Sequence, residues 1–349
     1  MTYPRLTIDL KKLADNARLL RSWYQSRGVA VVAVSKAVLG DPQLVSRWLA
    51  VGIETIADSR LSNIQRMRNA GLQARWVLTR TQLSQVDTVV ALADVSHNSD
   101  LTVLAALGQA ARSQGVVHEV ILMVETGDLR EGVMLDDFPM FLARALEIQG
   151  IKLAGIGTNM GCVSGSAPSS RQMQALSELT VAMERRFRLS LGTVSGGSSS
   201  CHDWLMSATD RGRINQLRIG ELLLLGREPM TQRQVEHLHG DVFTLQAEVI
   251  EVRDKPYFAE RAQANGPTAP SLVHSQNRRA VLALGSQDVV VDALRPRCNQ
   301  SVLGSSGDHL IVDPAQTHLR VGELVDMDLD YAALLSLMTS PFVHKQYLG

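Results

Sequence analysis

The sequence predicts an α/β fold: a (β/α)8 barrel of the TIM type followed by a small, mainly antiparallel β domain. Three observations carry this. Up to about residue 235, short β-branched or apolar runs alternate with helical patterns, a recurrence that suits roughly eight βα units closing on themselves. Beyond that point the apolar residues recur with period two, as in half-buried antiparallel strands. The third is Lys36, at the end of the apolar run Val29 to Val34. The carboxyl ends of parallel strands are where such a barrel presents its reactive groups. A doubly wound sheet is the alternative, but it usually has fewer strands.

The elements follow in order. Leu6-Thr7-Ile8 reads as a strand and Asp9 to Ala17 as a helix. Val29 to Val34 is a short buried strand, and Pro42 to Val51 a helix with proline in its first turn. Further strands are expected at Ile53 to Ala57, Ala74 to Leu78, Val95 to Asn98, Glu119 to Val124, Leu153 to Gly157, Gly192 to Ser195 and Asn215 to Gly220. Helical patterns stand between them. The barrel is placed at residues 1–235, with the first few residues assignable to the β domain, and the β domain at 236–349. In the latter, Phe243 to Val252, Ala280 to Leu284, His309 to Asp313 and Leu324 to Leu329 alternate. Lys255 to Asn277 is polar and proline-containing and is expected to be a long mobile loop.

Bulk composition narrows the function classes. Lys plus Arg balances Asp plus Glu at 35 each, so no net field draws nucleic acid or an anionic membrane. Aromatics are 4%, too few for a base-stacking platform. No apolar run reaches the length of a membrane span, and the N-terminus has no signal-peptide core. Cys162, Cys201 and Cys298 have neither disulfide nor metal spacing. A cytoplasmic protein is the expectation. His237 and His239 lack a third ligand, so no metal is expected.

Candidate site residues fall at the strand ends. A lysine withdrawn from water can lose its proton near neutral pH and form a Schiff base with a carbonyl. A strand-end lysine can also simply carry its ammonium out to solvent, so the strand alone does not decide the role of Lys36. Ser195-Gly196-Gly197-Ser198-Ser199-Ser200 has glycines and hydroxyls that suit a phosphate, or a flexible loop. Arg218 ends the next strand. A lysine facing phosphate capture across a barrel suggests pyridoxal 5′-phosphate. Arg218 could then meet the pyridine nitrogen and leave it unprotonated, because a guanidinium keeps its proton; a structural ion pair is the competing role. Arg130, in Glu125-Thr126-Gly127-Asp128-Leu129-Arg130-Glu131-Gly132, could bind the phenolic oxygen or a substrate carboxylate, or stand in solvent.

Taken together, several stretches resemble the fold-III, pyridoxal-phosphate alanine racemase superfamily, in particular its ornithine-racemase-like branch. They are Ala33-Val34-Ser35-Lys36, Ile56-Ala57-Asp58-Ser59-Arg60, Gly127 to Gly132, Gly155-Ile156-Gly157-Thr158-Asn159, Ser195 to Ser199 and Asn215 to Glu221. In the β domain they are Ser305 to Ile311, Asp330 to Leu335 and Met338-Thr339-Ser340-Pro341. The resemblance spans nearly the whole chain. It implies a PLP-dependent amino acid racemase, an isomerase, with Lys36 as cofactor anchor and one of two catalytic bases. It implies Arg218 at the pyridine nitrogen, Arg130 near the phenolic oxygen, and Ser198, Ile219, Gly220 and Tyr331 at the phosphate. Ser195 and Gly197 belong to the same cofactor-binding stretch. Asn159 stands where alanine racemases place a histidine on the cofactor. Homodimers with shared active sites are implied as well.

Two departures matter. Alanine racemases have a tyrosine after a glycine in the β domain as second base; the matching stretch is Gly285-Ser286-Gln287-Asp288. They also carry a tyrosine shortly after the lysine, and Val38-Leu39-Gly40-Asp41 has none. Ornithine or a related amino acid is therefore expected as substrate rather than alanine. Asp288 and His309 are the candidates for second base, with Cys162 a weaker one. The alternatives are a non-enzymatic PLP carrier, disfavoured by the β domain, and another fold-III reaction such as decarboxylation or aldol cleavage.

Overall fold

The computed structural model describes residues 2–161, 163–258 and 272–349. They form two compact units, residues 10–240 and residues 1–9 with 241–349.

The larger unit is a closed parallel barrel. Its strands are β2 (Ala30–Val34), β3 (Thr55–Asp58), β4 (Arg75–Leu78), β5 (Val95–Asn98), β6 (His118–Glu125), β8 (Ile151–Thr158), β9 (Thr193–Ser195) and β10 (Gln216–Ile219). β2 pairs with both β3 and β10, and β5 pairs with β6, so the sheet has no free edge among these eight strands. This closure excludes the doubly wound alternative. A two-residue strand, β7 (Val133–Met134), lies beside β6. Helices α1 (Leu10–Gln25), α2 (Pro42–Ala50), α3 (Leu61–Asn69), α4 (Val86–Leu92), α5 (Leu101–Ser113), α6 (Phe138–Leu146), α7 (Ser170–Phe187), α8 (His202–Ser207) and α9 (Glu221–Leu225) connect them.

Local sequence explains several of these elements. In α1, Leu10, Leu13, Ala17, Leu20 and Tyr24 are buried at spacings of three and four, one helical face. Asp41 caps α2, accepting from the Gln43 N–H at 2.9 Å, with Pro42 at the first helical position. Ser169 and Gln172 form a capping box on α7. Val32, Ala57, Val77, Val95, Ile121 and Met123 pack together as the barrel interior, each burial contributing about 1–3 kcal/mol. Gly155 is required where β8 meets β9: a Cβ there would lie 1.9 Å from the Thr193 carbonyl oxygen.

β1 (Arg5–Asp9), among the first residues that the sequence leaves assignable to either domain, belongs to the smaller unit. It pairs antiparallel with β11 (Phe243–Phe258) and parallel with β17 (His344–Leu348). Its strict alternation, with Leu6 and Ile8 buried and their neighbours partly exposed, suits a sheet with one covered face. The barrel strands carry longer buried runs. The rest of the smaller unit is β12 (Leu272–Leu282), β13 (Leu294–Pro296), β14 (Ser301–Ser305), β15 (Leu310–Asp313), β16 (Leu324–Leu329) and α10 (Tyr331–Thr339). Apart from the β1–β17 pair, the strands of this sheet pair antiparallel. The long loop expected at 255–277 is shorter: β11 and β12 continue pairing to Phe258 and Leu272. The part of that expectation at 259–271 lies outside the described residues. Among the described residues, no helix is long and apolar enough to cross a membrane.

Candidate active site

Lys36 follows β2 and opens a single 3-10 turn, Lys36–Val38. Its neighbour Ser35 is fully buried and donates its hydroxyl to Asp58 Oδ2 at 2.6 Å. Asp58, at the end of β3, also accepts from the Arg60 N–H at 2.9 Å and Asn63 Nδ2 at 3.0 Å. Burial pushes the Asp58 carboxyl up, against the pull of these donors. The ends of β2 and β3 are thereby locked together beneath Lys36. Gly40 completes the turn at φ +59°, where a Cβ would stand 2.9 Å from the Asn63 carbonyl oxygen. The Lys36 side chain itself is exposed rather than withdrawn from water.

Arg218 is 6% exposed on β10, and both of its terminal nitrogens are engaged. Nη1 donates to Ser195 Oγ at 2.6 Å; Nη2 donates to the Thr158 carbonyl at 2.7 Å and to Asn159 Oδ1 at 2.8 Å. Groups at the ends of β8 and β9 thus hold the guanidinium carried by β10 through neutral acceptors. The structural ion pair considered for Arg218 is not among these contacts.

A cavity of about 420 Å3 opens at the carboxyl ends of the strands, lined by Lys36, Thr79, His97, Asp100, Arg130 and Glu131 among others. Arg130 is clamped by Glu131, through Nε to Oε2 and Nη2 to Oε1 at 2.8 Å. Burial alone would raise the Glu131 carboxyl, but the bond and charge of Arg130 hold it below its ordinary value. Glu125, ending β6, accepts from the backbone N–H groups of Gly127 and Arg130 and so folds the loop that carries Arg130. A larger depression of about 750 Å3, beside α7 and residues 210–213, contains neither lysine nor histidine. The smaller one gathers the lysine, the histidine and the clamped arginine.

His97 is the residue that motif reading missed. It lies two positions after Val95, so period two carries it from the barrel interior to the mouth. That spacing, with a polar ring at a strand end, was the available signal. Its Nε2 is buried and has no hydrogen-bond partner. Burial, then the charges of Arg218 and Arg130, push its pKa well below the ordinary histidine value.

The serine–glycine stretch is satisfied within the chain. Ser198 and Ser200 donate to the Met160 carbonyl, at 3.5 and 2.8 Å. Ser199 Oγ accepts from the Gly220 N–H at 3.1 Å and the Leu222 N–H at 3.4 Å. Gly197, at φ +129°, faces Cys201 Sγ, and Gly196 faces Ile214. A Cβ at either position would collide with these neighbours, so local packing by itself requires glycine at both. Ile219 pairs with Ala33 of β2, and Gly220 faces Val34.

Asp288, His309 and Tyr331 belong to the smaller unit. The Asp288 and His309 turns lie side by side, joined by the Ser286 N–H to the Ser306 carbonyl and the Gln287 N–H to the Gly307 carbonyl, both 2.9 Å. Asp288 Oδ1 accepts from Ser340 Oγ at 3.3 Å. His309 Nδ1 is 2.9 Å from Asp308 Oδ1. Tyr331 opens α10. Cys162 lies outside the described residues. His237 stands beside Glu236 and His239 beside Asp15; among the described residues, no three ligating side chains gather around a metal position.

These residues fit pyridoxal 5′-phosphate. A lysine reaches a cavity that also holds a clamped arginine for an anionic oxygen, and a buried imidazole nitrogen there lacks a partner. An unsatisfied buried nitrogen of this kind costs about 1–3 kcal/mol, and a polar ligand would recover it.

Residues 8–228 match the family model described as the alanine racemase N-terminal domain. The chain is 33% identical over 360 residues to the ornithine racemase of Acetoanaerobium sticklandii, covering 99% of this chain and 100% of the relative. It is 33% identical over 353 residues to the lysine racemase of Thermotoga maritima, covering 99% of each. Its fold is that of the alanine racemase of Streptomyces coelicolor A3(2), at TM-score 0.78 and 18% identity over 99% of this chain and 98% of the other. Members of this family are PLP-dependent enzymes, which removes the reading as a non-enzymatic carrier. The chain belongs to the alanine racemase family of amino acid racemases.

Proposed function

We propose that this chain interconverts the L- and D-enantiomers of ornithine or a related amino acid, with pyridoxal 5′-phosphate held by Lys36. The observation that most supports this is the meeting of Lys36, His97 and Arg130 on one cavity at the carboxyl end of a closed barrel. The names of the two full-length relatives favour a substrate with a side-chain ammonium. When bound, the cofactor supplies a carbonyl for the substrate amine and an electron-withdrawing ring that acidifies the Cα–H.

The residues divide the remaining work. Lys36 Nζ takes or returns the Cα proton on its own side. Arg218 is held in plane by Ser195, Thr158 and Asn159. It keeps its proton, so a basic nitrogen beside it would receive a hydrogen bond and not a charge. That weakens the electron sink and favours reprotonation over side reactions. Arg130, oriented by Glu131, would bind an anionic oxygen. Ser198, Ile219, Gly220 and Tyr331 would take the phosphate.

Reprotonation from the opposite side needs a second group, and Asp288 or His309 is assigned to it, supplied by a partner subunit in a homodimer. A cytoplasmic location belongs to the same reading.

The test incubates the holoenzyme with a panel of L- and D-amino acids in deuterium oxide. Cα exchange and loss of optical rotation are expected for ornithine or lysine, and borohydride should fix the cofactor on the Lys36 peptide. Lys36→Ala should abolish both exchange and racemisation. No exchange with any amino acid, or a label on another lysine, would end the proposal.

A further inference from the structure

We propose that His97 is a binding residue of this site: its Nε2–H donates to an anionic oxygen that enters the cavity beside Arg130. The inference rests on the reading that cofactor and amino acid bind at Lys36.

Three observations on the chain's own atoms carry it. Val95 packs in the apolar barrel interior, and His97, two residues on, lies on the same strand face at the mouth. It lines the cavity shared by Lys36, Arg130 and Glu131. Its Nε2 is buried without a partner, although buried polar atoms are nearly always paired. The backbone around it is fixed, since the His97 carbonyl accepts from Thr81 Oγ1 at 3.0 Å.

The charges nearby select the chemistry of the missing partner. Arg218 and Arg130 act on His97 in the sense that disfavours its cation, reinforcing burial. The imidazole is thus neutral, with one N–H and one lone pair. Arg130 on the cavity wall favours an anion, and an anionic oxygen accepts hydrogen bonds. The Nε2–H tautomer meets that need without adding a positive charge to the mouth. Two oxygens of the reaction have this chemistry: the phenolic oxygen of the cofactor and the α-carboxylate of the amino acid.

The experiment uses the full-length protein, wild type, His97→Leu and His97→Gln. The cofactor is removed with hydroxylamine, then pyridoxal 5′-phosphate is titrated back by absorbance. L-ornithine and L-lysine are then titrated into each holoenzyme. His97→Leu is expected to raise one half-saturation concentration by about tenfold or more, and His97→Gln, which restores an N–H, to recover most of it. A weakened cofactor titration assigns the phenolic oxygen. An unchanged cofactor titration with weakened amino acid binding assigns the carboxylate. If wild type binds both ligands and neither variant changes either, His97 is not a binding residue, while the proposed function stands. If wild type takes up no cofactor on Lys36, the proposed function itself falls. Imidazole signals of 15N-histidine-labelled wild type, assigned with His97→Gln, give a readout free of folding defects. The His97 ring nitrogens should shift when ligand is added; no shift on saturation overturns the inference.

Discussion

Replacing His118 by asparagine should change how the barrel responds to acid, by an amount the structure sets. His118 begins β6, is 3% exposed, and places Nε2 2.8 Å from Ser96 Oγ. Ser96 also receives Asn98 Nδ2 at 2.9 Å. This network lies on the back of β5, the strand that carries His97. Burial lowers the His118 pKa from 6.5 to about 4, against the opposing charges of Asp94 and Glu119. The folded pKa lies below the unfolded one, so the neutral ring stabilises the fold above pH 6.5. That contribution is lost as pH falls from there through about 4. At about 1.4 kcal/mol per unit the whole contribution is up to about 3 kcal/mol. By pH 5 about 2 kcal/mol of it should be gone. The assay is urea unfolding followed by tryptophan fluorescence. All four tryptophans, Trp23, Trp48, Trp76 and Trp204, lie within residues 10–240, so the signal reports the barrel. Between pH 8 and pH 5, wild type should lose about 2 kcal/mol more than His118→Asn. Parallel losses in the two proteins would refute the reasoning.

Other outcomes follow from the same contacts. Arg218→Lys keeps the charge but not the fork, so Ser195, Thr158 and Asn159 cannot all be served; racemisation should fall at least about tenfold and the thermal midpoint should drop. Wild-type turnover in that variant would remove Arg218 from the reacting centre. Gly155→Ala should destabilise the barrel by about 1–3 kcal/mol or more, because its Cβ would overlap the Thr193 carbonyl oxygen; urea midpoints read this directly, and an unchanged midpoint would contradict the β8–β9 approach. Mixing inactive Lys36→Ala subunits with inactive Asp288→Asn or His309→Gln subunits should restore part of the activity. After confirmed subunit exchange, no recovery with either would place the second base on the same chain as Lys36, or elsewhere.

Much of this molecule was determined by local sequence. Short β-branched runs with helical intervals specify a parallel sheet covered on both faces, and their recurrence about eight times favours a barrel. Lys36 and Arg218 are marked by the strand ends they occupy, and Asp41-Pro42 writes its own helix start. Period two also assigns a face: Val95 and His97 share one, and Leu6 and Ile8 another. What local pattern cannot assign is the neighbour on that face. Leu6-Thr7-Ile8 looks like a barrel strand until β11 and β17, more than 200 residues away, claim its hydrogen bonds. The polar stretch after Lys255 looks like loop until β12 pairs with it. Arg218 reads equally as half of an ion pair, and only barrel closure brings Thr158, Asn159 and Ser195 to its fork. The glycines and serines at 195–200 suit an anion by composition, and only the folded chain adds that Cys201, Ile214, Met160 and Gly220 pack against them or share their hydrogen bonds. The unpartnered nitrogen of His97 is the clearest case, because an unmet hydrogen bond exists only once everything around it has been placed.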